Sequence, residues 1–300
     1  MTEHTIRQAR PDDEADIVSF TEDTWSERDV GDYIPEIYQD WIAADGPTQR
    51  TLVTEVDGTA VGICQARLVG DEEGWVQGIR VHPDHRREGH GRAMTGALFE
   101  WCRERGATVA RNLIYGWNDA AMAQARSVGF EPGVICRLVH PEPTAGDTDH
   151  PVTADTASAW QYWTASDART ALAGLSLADD HGWALAELTR ERLDRLAAEQ
   201  RVFAVRDGGT RGMAVRTGTR HRSSSGETVA DYAVGAWADV DAARALLTAV
   251  GDDAAGLDAT RARVCIPATP RYVSDGASVA SLYDETVYVF GADLTGELPG

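Results

Sequence analysis

The chain alternates between short segments of two-residue hydrophobic periodicity and segments of helical periodicity. In the first half these patterns predict strands at 6–9, 52–56, 61–68, 75–81, 110–115 and 134–139, and helices at 12–25, 33–44, 91–105 and 118–128. Asp57-Gly58 is typical of a tight hairpin turn between the second and third strands. Strands mixed with helices predict an α/β (α+β) domain with a mixed sheet.

The second half repeats this order of elements. Its patterns predict a helix at 185–199, a hairpin over 203–205 and 212–215, a polar loop at 217–227, an apolar strand at 229–237, a helix at 241–250, and strands at 264–266 and 287–290. Asp57-Gly58 and Gly62 recur as Asp207-Gly208 and Gly212. The recurrence predicts a tandem duplication of one fold.

A segment rich in proline and small polar residues separates the two halves. It holds Pro141, Pro143 and Pro151 together with Gly146, and no periodicity crosses it. We therefore predict a domain over 1–140, a linker over 141–151 and a second domain over 152–300. A length of 300 residues suits two domains of about 150 residues each.

The charge balance restricts the partners of the protein. The formal net charge is −20, and all 28 basic residues are Arg. Such a chain repels phosphate backbones and anionic lipid surfaces, which argues against nucleic acid and membranes as partners. A surplus of Asp with no Lys suggests a halophilic surface, because high salt screens repulsion between like charges. The alternative is an ordinary acidic protein encoded by a GC-rich genome.

The cellular location follows from features at the N-terminus and from the cysteines. The first residues lack the basic and apolar regions of a signal peptide, and no apolar run is long enough to span a bilayer. The cysteines Cys64, Cys102, Cys136 and Cys265 are far apart and form no C-x-x-C motif. We expect a cytoplasmic protein with buried, free thiols.

One segment of the first half is cationic in an otherwise acidic protein. Residues 80–92 contain four Arg, three His and two acids, a local formal charge of +2. A strand ends there, and Gly89 and Gly91 precede a helix, so backbone N–H groups can converge at a positive helix end. This arrangement is typical of a phosphate or pyrophosphate site. The alternative is a polar turn whose arginines pair with nearby acids.

Two motifs around this segment resemble a known family. Arg86-x-x-Gly89-x-Gly91 at a strand-to-helix junction, followed by Asn118 and by Gly129-Phe130, resembles the acetyl-CoA-binding core of the GCN5-related N-acetyltransferases. The resemblance covers about residues 5–139. It implies the acyl-CoA N-acyltransferase fold, a mixed but mostly antiparallel sheet flanked by helices. The repeated order of elements predicts a second copy of this fold.

The resemblance also implies acetyl-CoA as co-substrate and a set of binding residues. The backbone of residues 87–92 would hold the pyrophosphate, and the main chains of Ile79 and Val81, at a splayed strand end, would bind the pantetheine arm and thioester. Asn118 would contact the same arm, unless it only caps a helix. The complete implied set is Ile79, Arg80, Val81, Arg86, Arg87, Glu88, Gly89, His90, Gly91, Arg92 and Asn118.

The catalytic positions depart from the family pattern. Ala125 occupies the position where many members carry a Tyr that protonates the thiolate, and Gln77 the position where some carry a Glu base. Substitutes are Tyr115, His82 and Glu73, with Asp71 and Glu72 beside Glu73. Each also has an ordinary interpretation as core packing, a strand-end cap or a solvated turn.

A metal is not expected near the cationic segment. His82, His85 and His90 could form a metal cluster, but they lie beside arginines that would repel a cation.

The second half lacks the features of a pyrophosphate site. Residues 238–244 lead from a strand into a helix without glycine and with Asp239 and Asp241, which would repel phosphate. We therefore predict a degenerate copy that shapes the acceptor site or packs internally against the first domain. The aromatic residues Trp160, Tyr162 and Trp163 would line an acceptor site or pack in the core.

The functional hypothesis is an acetyl-CoA-dependent N-acetyltransferase acting on the amine of a small molecule or a peptide N-terminus through a ternary complex. One alternative is a cofactor-binding or regulatory protein that has lost turnover, which Ala125 and Gln77 favour. Another is a tandem synthase of a low-molecular-weight thiol similar to mycothiol synthase. A homodimer is compatible with each of these hypotheses.

Overall fold

The structure is a computed structural model that describes residues 4–25, 28, 31–70, 72–179, 181–199, 201–222 and 226–297. Of the residues named above, Asp71 lies outside the described ranges. Two compact units are present: Met1–Asn112 with Asn118–Glu131 and Phe290–Gly300, and Leu113–Trp117 with Pro132–Val289. This division differs from the sequence-based boundaries, because residues 132–140 belong to the second unit and the C-terminal segment to the first.

The strands are numbered in chain order: β1 His4–Gln8, β2 Gln49–Val56, β3 Thr59–Val69, β4 Glu73–Val81, β5 Val109–Tyr115, β6 Glu131–His140, β7 Val152–Thr153, β8 Leu175–Leu177, β9 Leu185–Glu187, β10 Val202–Arg206, β11 Thr210–Arg222, β12 Glu227–Trp237, β13 Arg261–Pro267, β14 Ser281–Leu282 and β15 Val287–Asp293. The helices are α1 Glu14–Thr21, α2 Ile34–Ala43, α3 His90–Arg103, α4 Asp119–Ser127, α5 Thr156–Ala165, α6 Asp167–Ala171, α7 Arg190–Glu199, α8 Val240–Ala255 and α9 Pro270–Val279.

The first unit is a sheet in the order β1-β2-β3-β4-β5, followed by the end of β15. Pairing is antiparallel from β1 to β4 and parallel between β4 and β5. The apolar sides of α1 and α2 pack on it, with Ile17, Ile34 and Ile63 fully buried in one cluster. These contacts exclude water from one side of the sheet and stabilise the unit.

The second unit is also a mostly antiparallel sheet. Its order is the end of β5, the start of β15, then β6-β13-β12-β11-β10-β7, with β12 and β13 parallel. Strands β8 and β9 form a separate pair. The predicted mixed, mostly antiparallel sheet with flanking helices is confirmed.

Several predicted elements of the second half need correction. The helix expected over 185–199 begins only at Arg190, because residues 185–187 pair with β8 as a short strand. The loop expected over 217–227 is largely strand, since β11 pairs with β12 as far as Arg222 and Glu227. Helices α5, α6 and α9 were not predicted. On α5, Trp163 is fully buried, so it is a core residue.

The burial of the cysteines agrees with the sequence-based expectation. All four cysteines are buried and free. None of the helices within the described part of the chain is both long and apolar enough to cross a membrane.

A half-buried histidine at the end of β6 makes the stability of the protein sensitive to pH. Burial, and then the nearby charges of Arg261 and Arg263, lower the pKa of His140 from 6.5 to about 4. The unfolded chain therefore binds more protons than the folded chain between these values, and stability is lost as the pH falls from 6.5 towards 4.

We expect His140→Gln to remove this contribution. The free energy of unfolding in urea should be measured for both proteins at pH 7 and at pH 4. From pH 7 to pH 4 it should fall further for the native chain than for the variant, by roughly 1–2 kcal/mol after allowance for solvent screening. Equal losses in the two proteins would contradict the assignment.

Candidate functional site

The site begins where β4 separates from its parallel neighbour. The pairing register of β4 with β5 covers Glu73 to Trp75 opposite Val109 to Arg111, and the rest of β4 lies beyond this register. On its other side β4 stays paired with β3 as far as Val81. After Trp75, the backbone N–H and C=O groups that β4 directs towards β5 are therefore available to a ligand. This is the splayed strand end on which the prediction for Ile79 and Val81 depends.

A bulge in β4 shapes this strand end. The register with β3 shifts between Ile63 and Gln65, and Gly78 adopts a left-handed conformation with φ +66°. A Cβ atom at Gly78 would lie 2.3 Å from Cη2 of Trp41 on α2. Only glycine fits there, because both the backbone angle and the indole contact exclude a side chain.

A short loop connects β4 to α3. His82 accepts a hydrogen bond at Nδ1 from the N–H of Asp84 (3.2 Å), which starts a 3-10 turn over Pro83–His85. Nε of Arg86 donates to the carbonyl oxygen of Val81 (3.2 Å), which ties the loop back to the strand end. Residues 86–89 are exposed.

The start of α3 is open to an anion. Arg87 and Gly89 have φ of +68° and +91°, and Gly89 is the N-cap residue. No described side chain caps this helix, and its first turn contains no acid. The first N–H groups of a helix have no intrahelical acceptor and carry the positive end of its dipole. The predicted pyrophosphate site therefore has suitable geometry and charge.

Helix α8 of the second unit has the opposite arrangement. Oδ1 of Asp239 accepts a hydrogen bond from the N–H of Ala242 (3.0 Å), and its carboxylate also pairs with Arg211. The hydrogen bond from the Ala242 N–H is the main cause that lowers the pKa of Asp239. The protein's own carboxylate occupies the position that a phosphate would need. This observation favours the predicted degeneracy of the second half.

The charge of Arg80 is neutralised within the first unit. Its Nε donates to Oδ2 of Asp32 (2.6 Å), whose side chain is fully buried, and its guanidinium lies 4.5 Å from the ring centroid of Trp25. The side chain therefore holds the strand end against the α1–α2 segment. Contact of Arg80 with the cofactor, like that of the other implied residues, stays a prediction.

Helix α4 borders the same region. Oδ1 of Asn118 accepts from the N–H of Ala121 (3.0 Å), so this residue is the N-cap of α4, and its Nδ2 group can still donate to a ligand. Phe130 packs edge-on against Phe99 of α3, with ring centroids 5.1 Å apart. The Gly129-Phe130 motif thus attaches α4 to α3.

Gln124 borders the candidate site, and the sequence analysis missed it. Its Nε2 is buried and has no acceptor among the described residues. The same atom lies 3.2 Å from the position of a Cβ at Gly91, and that position is 3.8 Å from the side chains of Ile79 and Val81. A buried donor next to the strand end and the start of α3 is available to hydrogen-bond a ligand. No sequence signal distinguishes it, because Gln is common in helices.

The catalytic candidates lie in different surroundings. His82 is the cap of the 3-10 turn, and the carboxylate of Glu73 pairs with Arg111. Tyr115 belongs to the second unit, where it stacks on Trp117 with ring centroids 5.8 Å apart and contacts Trp183 edge-on. Their catalytic roles stay predictions.

The two positions that depart from the family pattern offer no acid or base. Ala125 is buried. Nε2 of Gln77 donates to Oε1 of Gln65 (2.6 Å), and Gln65 in turn donates to Thr51 (3.2 Å). Gln77 is therefore part of an internal amide network.

Comparisons with known proteins identify the family of the chain. Residues 15–130 match the acetyltransferase (GNAT) family. The aminoglycoside N(6')-acetyltransferase type 1 of Stenotrophomonas maltophilia is 30% identical over 135 residues, which are 42% of this chain and 86% of that protein. The fold of a GCN5-related N-acetyltransferase from Sphaerobacter thermophilus aligns over 99% of this chain and 98% of its own, with TM-score 0.61 and 16% identity.

Proposed function

Because the chain belongs to the GCN5-related N-acetyltransferase family, we propose that it transfers the acetyl group of acetyl-CoA to an amine by direct attack in a ternary complex. The observation that carries this proposal is the uncapped start of α3, which lies in a cationic segment directly after the unpaired end of β4. The pyrophosphate of the cofactor would accept hydrogen bonds from the backbone of residues 87–92. The main chains of Ile79 and Val81 would bind the pantetheine arm.

The acceptor in this proposal is a small cationic amine. The net charge of −20 attracts polyamines, aminoglycosides and basic peptide N-termini. The similarity to an aminoglycoside acetyltransferase supports a small-molecule amine. A peptide N-terminus is the alternative acceptor.

The reaction needs a neutral amine. The amine nitrogen attacks the thioester carbonyl carbon, the C–S bond breaks, the nitrogen loses a proton and the thiolate gains one. An alkyl amine with pKa near 10.4 is less than about 0.1% neutral at pH 7, so deprotonation costs about 4–5 kcal/mol. Since Ala125 cannot donate a proton, we propose that water, with Tyr115, His82 or Glu73, takes part in proton transfer.

A second candidate function is cofactor binding without efficient turnover. The burial of Ala125 and the internal hydrogen bond of Gln77 support it, because neither position provides an acid or a base.

Release of free coenzyme A thiol distinguishes the two functions. The purified protein would be mixed with acetyl-CoA and with kanamycin, spermidine or a short peptide, in 0.2 M and 2 M KCl. Acceptor-dependent thiol release supports the enzyme, and higher activity at 2 M KCl supports the halophilic surface. Saturable acetyl-CoA binding without release across this panel would favour the binding protein.

Gln124→Leu is expected to raise the stability of the ligand-free protein and to lower its affinity for the cofactor. Leucine has a similar volume and removes a buried donor without an acceptor, so the ligand-free protein should gain about 1 kcal/mol of stability. If Gln124 contacts the cofactor, affinity for coenzyme A should fall roughly 5- to 20-fold. Thermal unfolding and calorimetric titration measure these two effects. An unchanged affinity would remove Gln124 from the site.

A further inference from the structure

Three side chains of the loop between β4 and α3 converge on one point. Nδ1 of His85 lies 3.5 Å from Oε2 of Glu88, and Nε2 of His90 lies 3.2 Å from the same oxygen. All three atoms lie within 4.8 Å of one another. Among the described residues this is the one group of three that could hold a metal ion.

We propose that His85, Glu88 and His90 form a binding site for a divalent transition-metal ion such as Zn²⁺. In a tetrahedral site with bonds of about 2.0–2.1 Å, neighbouring ligand atoms are about 3.3 Å apart. The two distances to Oε2 of Glu88 already match this value. The two histidine nitrogens are at most 4.8 Å apart, and the partly exposed ring of His85 can rotate to adjust their separation.

The ligand types determine the class of metal. Two imidazoles and one carboxylate suit Zn²⁺ and its first-row neighbours, whereas Mg²⁺ and Ca²⁺ prefer oxygen ligands alone. Three protein ligands also leave a fourth coordination position open to water or another ligand.

The ligand set differs from the three histidines considered in the sequence. Nδ1 of His82 accepts a hydrogen bond from the N–H of Asp84, and the third ligand is Glu88 instead of His82. Repulsion by one of the arginines that argued against a metal is reduced in the structure, because the charge of Arg80 is paired with that of Asp32.

His90 gives the site one rigid ligand. Its side chain is 4% exposed, and its ring contacts that of His4 edge-on at 5.1 Å between centroids. Because His90 begins α3 and His85 ends the 3-10 turn, a bound metal would link the 3-10 turn to the start of α3. The metal would thereby restrict the segment that includes Arg87 and Gly89. This inference concerns metal binding alone and does not depend on acetyl transfer.

The test is a Zn²⁺ titration of chelator-treated protein in competition with a chromophoric chelator. We expect one Zn²⁺ per chain with a dissociation constant in the micromolar range or tighter, unaffected by 10 mM Mg²⁺. Glu88→Gln and His85→Ala replace side chains that are not buried, so both variants should remain folded by circular dichroism. Each should weaken Zn²⁺ binding at least 10-fold.

His221→Ala is the matched control and should bind Zn²⁺ like the native chain. His221 is an exposed histidine of the second unit. Three results would overturn the proposal: no binding at 100 µM Zn²⁺, binding that survives both loop substitutions, or a loss in His221→Ala equal to that in Glu88→Gln.

Discussion

Replacement of Gly89 by Glu is expected to abolish the thermal stabilisation of the protein by coenzyme A. Gly89 is the N-cap of α3, and a Cβ added there meets nothing within 4 Å, so a glutamate fits but extends into the proposed pyrophosphate site. Its carboxylate would repel the phosphates and compete for the N–H groups of the helix. At a coenzyme A concentration of 100 times the dissociation constant, the lost stabilisation is about 2.7 kcal/mol.

The matched control is Gly106→Glu at the other end of the same helix. Gly106 has φ +90°, against +91° for Gly89, and a Cβ there also meets nothing within 4 Å. Both variants therefore carry a similar cost, about 1 kcal/mol, for a side chain in the left-handed region. Thermal unfolding with and without coenzyme A should show that only Gly89→Glu loses the ligand effect. An equal response of both variants would remove the loop from the cofactor site.

Asp32→Ala should be among the most destabilising single substitutions in the first unit. The Asp32 side chain is fully buried, pairs with Arg80 and accepts a hydrogen bond from the N–H of Ile34 (3.1 Å) at the start of α2. Removing it leaves the largely buried guanidinium of Arg80 without its carboxylate. We expect a loss of about 3–5 kcal/mol in the free energy of unfolding, measured by urea denaturation.

Two further variants test the physical reason for this loss. Asp40→Ala removes an exposed carboxylate from α2 and should change stability by less than about 0.5 kcal/mol. The double variant Asp32→Ala with Arg80→Met should be more stable than Asp32→Ala alone, because no buried charge remains unpaired. If the double variant loses the sum of both single effects, the two residues do not act as a pair.

The sequence was most informative where local chemistry determines structure. The hairpin at Asp57-Gly58 and the helix after Gly89 follow from turn residues and hydrophobic periodicity, and both are present. Short elements such as β8 and β9 were missed, because three residues are too few to show a period. The polar end of β11 was predicted as a loop, since its pairing with β12 depends on a partner rather than on its own composition.

By itself, the sequence determined the mixed sheet, the cationic segment within an acidic chain, and the family, since these depend on residue types at fixed spacing. Only the tertiary structure shows that Arg80 pairs with Asp32 and that Gln124 lies beside Gly91. It also shows that Glu88, and not His82, lies beside His85 and His90. It also placed residues 290–297 in the first unit. Such contacts depend on how distant backbone segments pack and on which way side chains turn within a loop, which residue spacing does not specify.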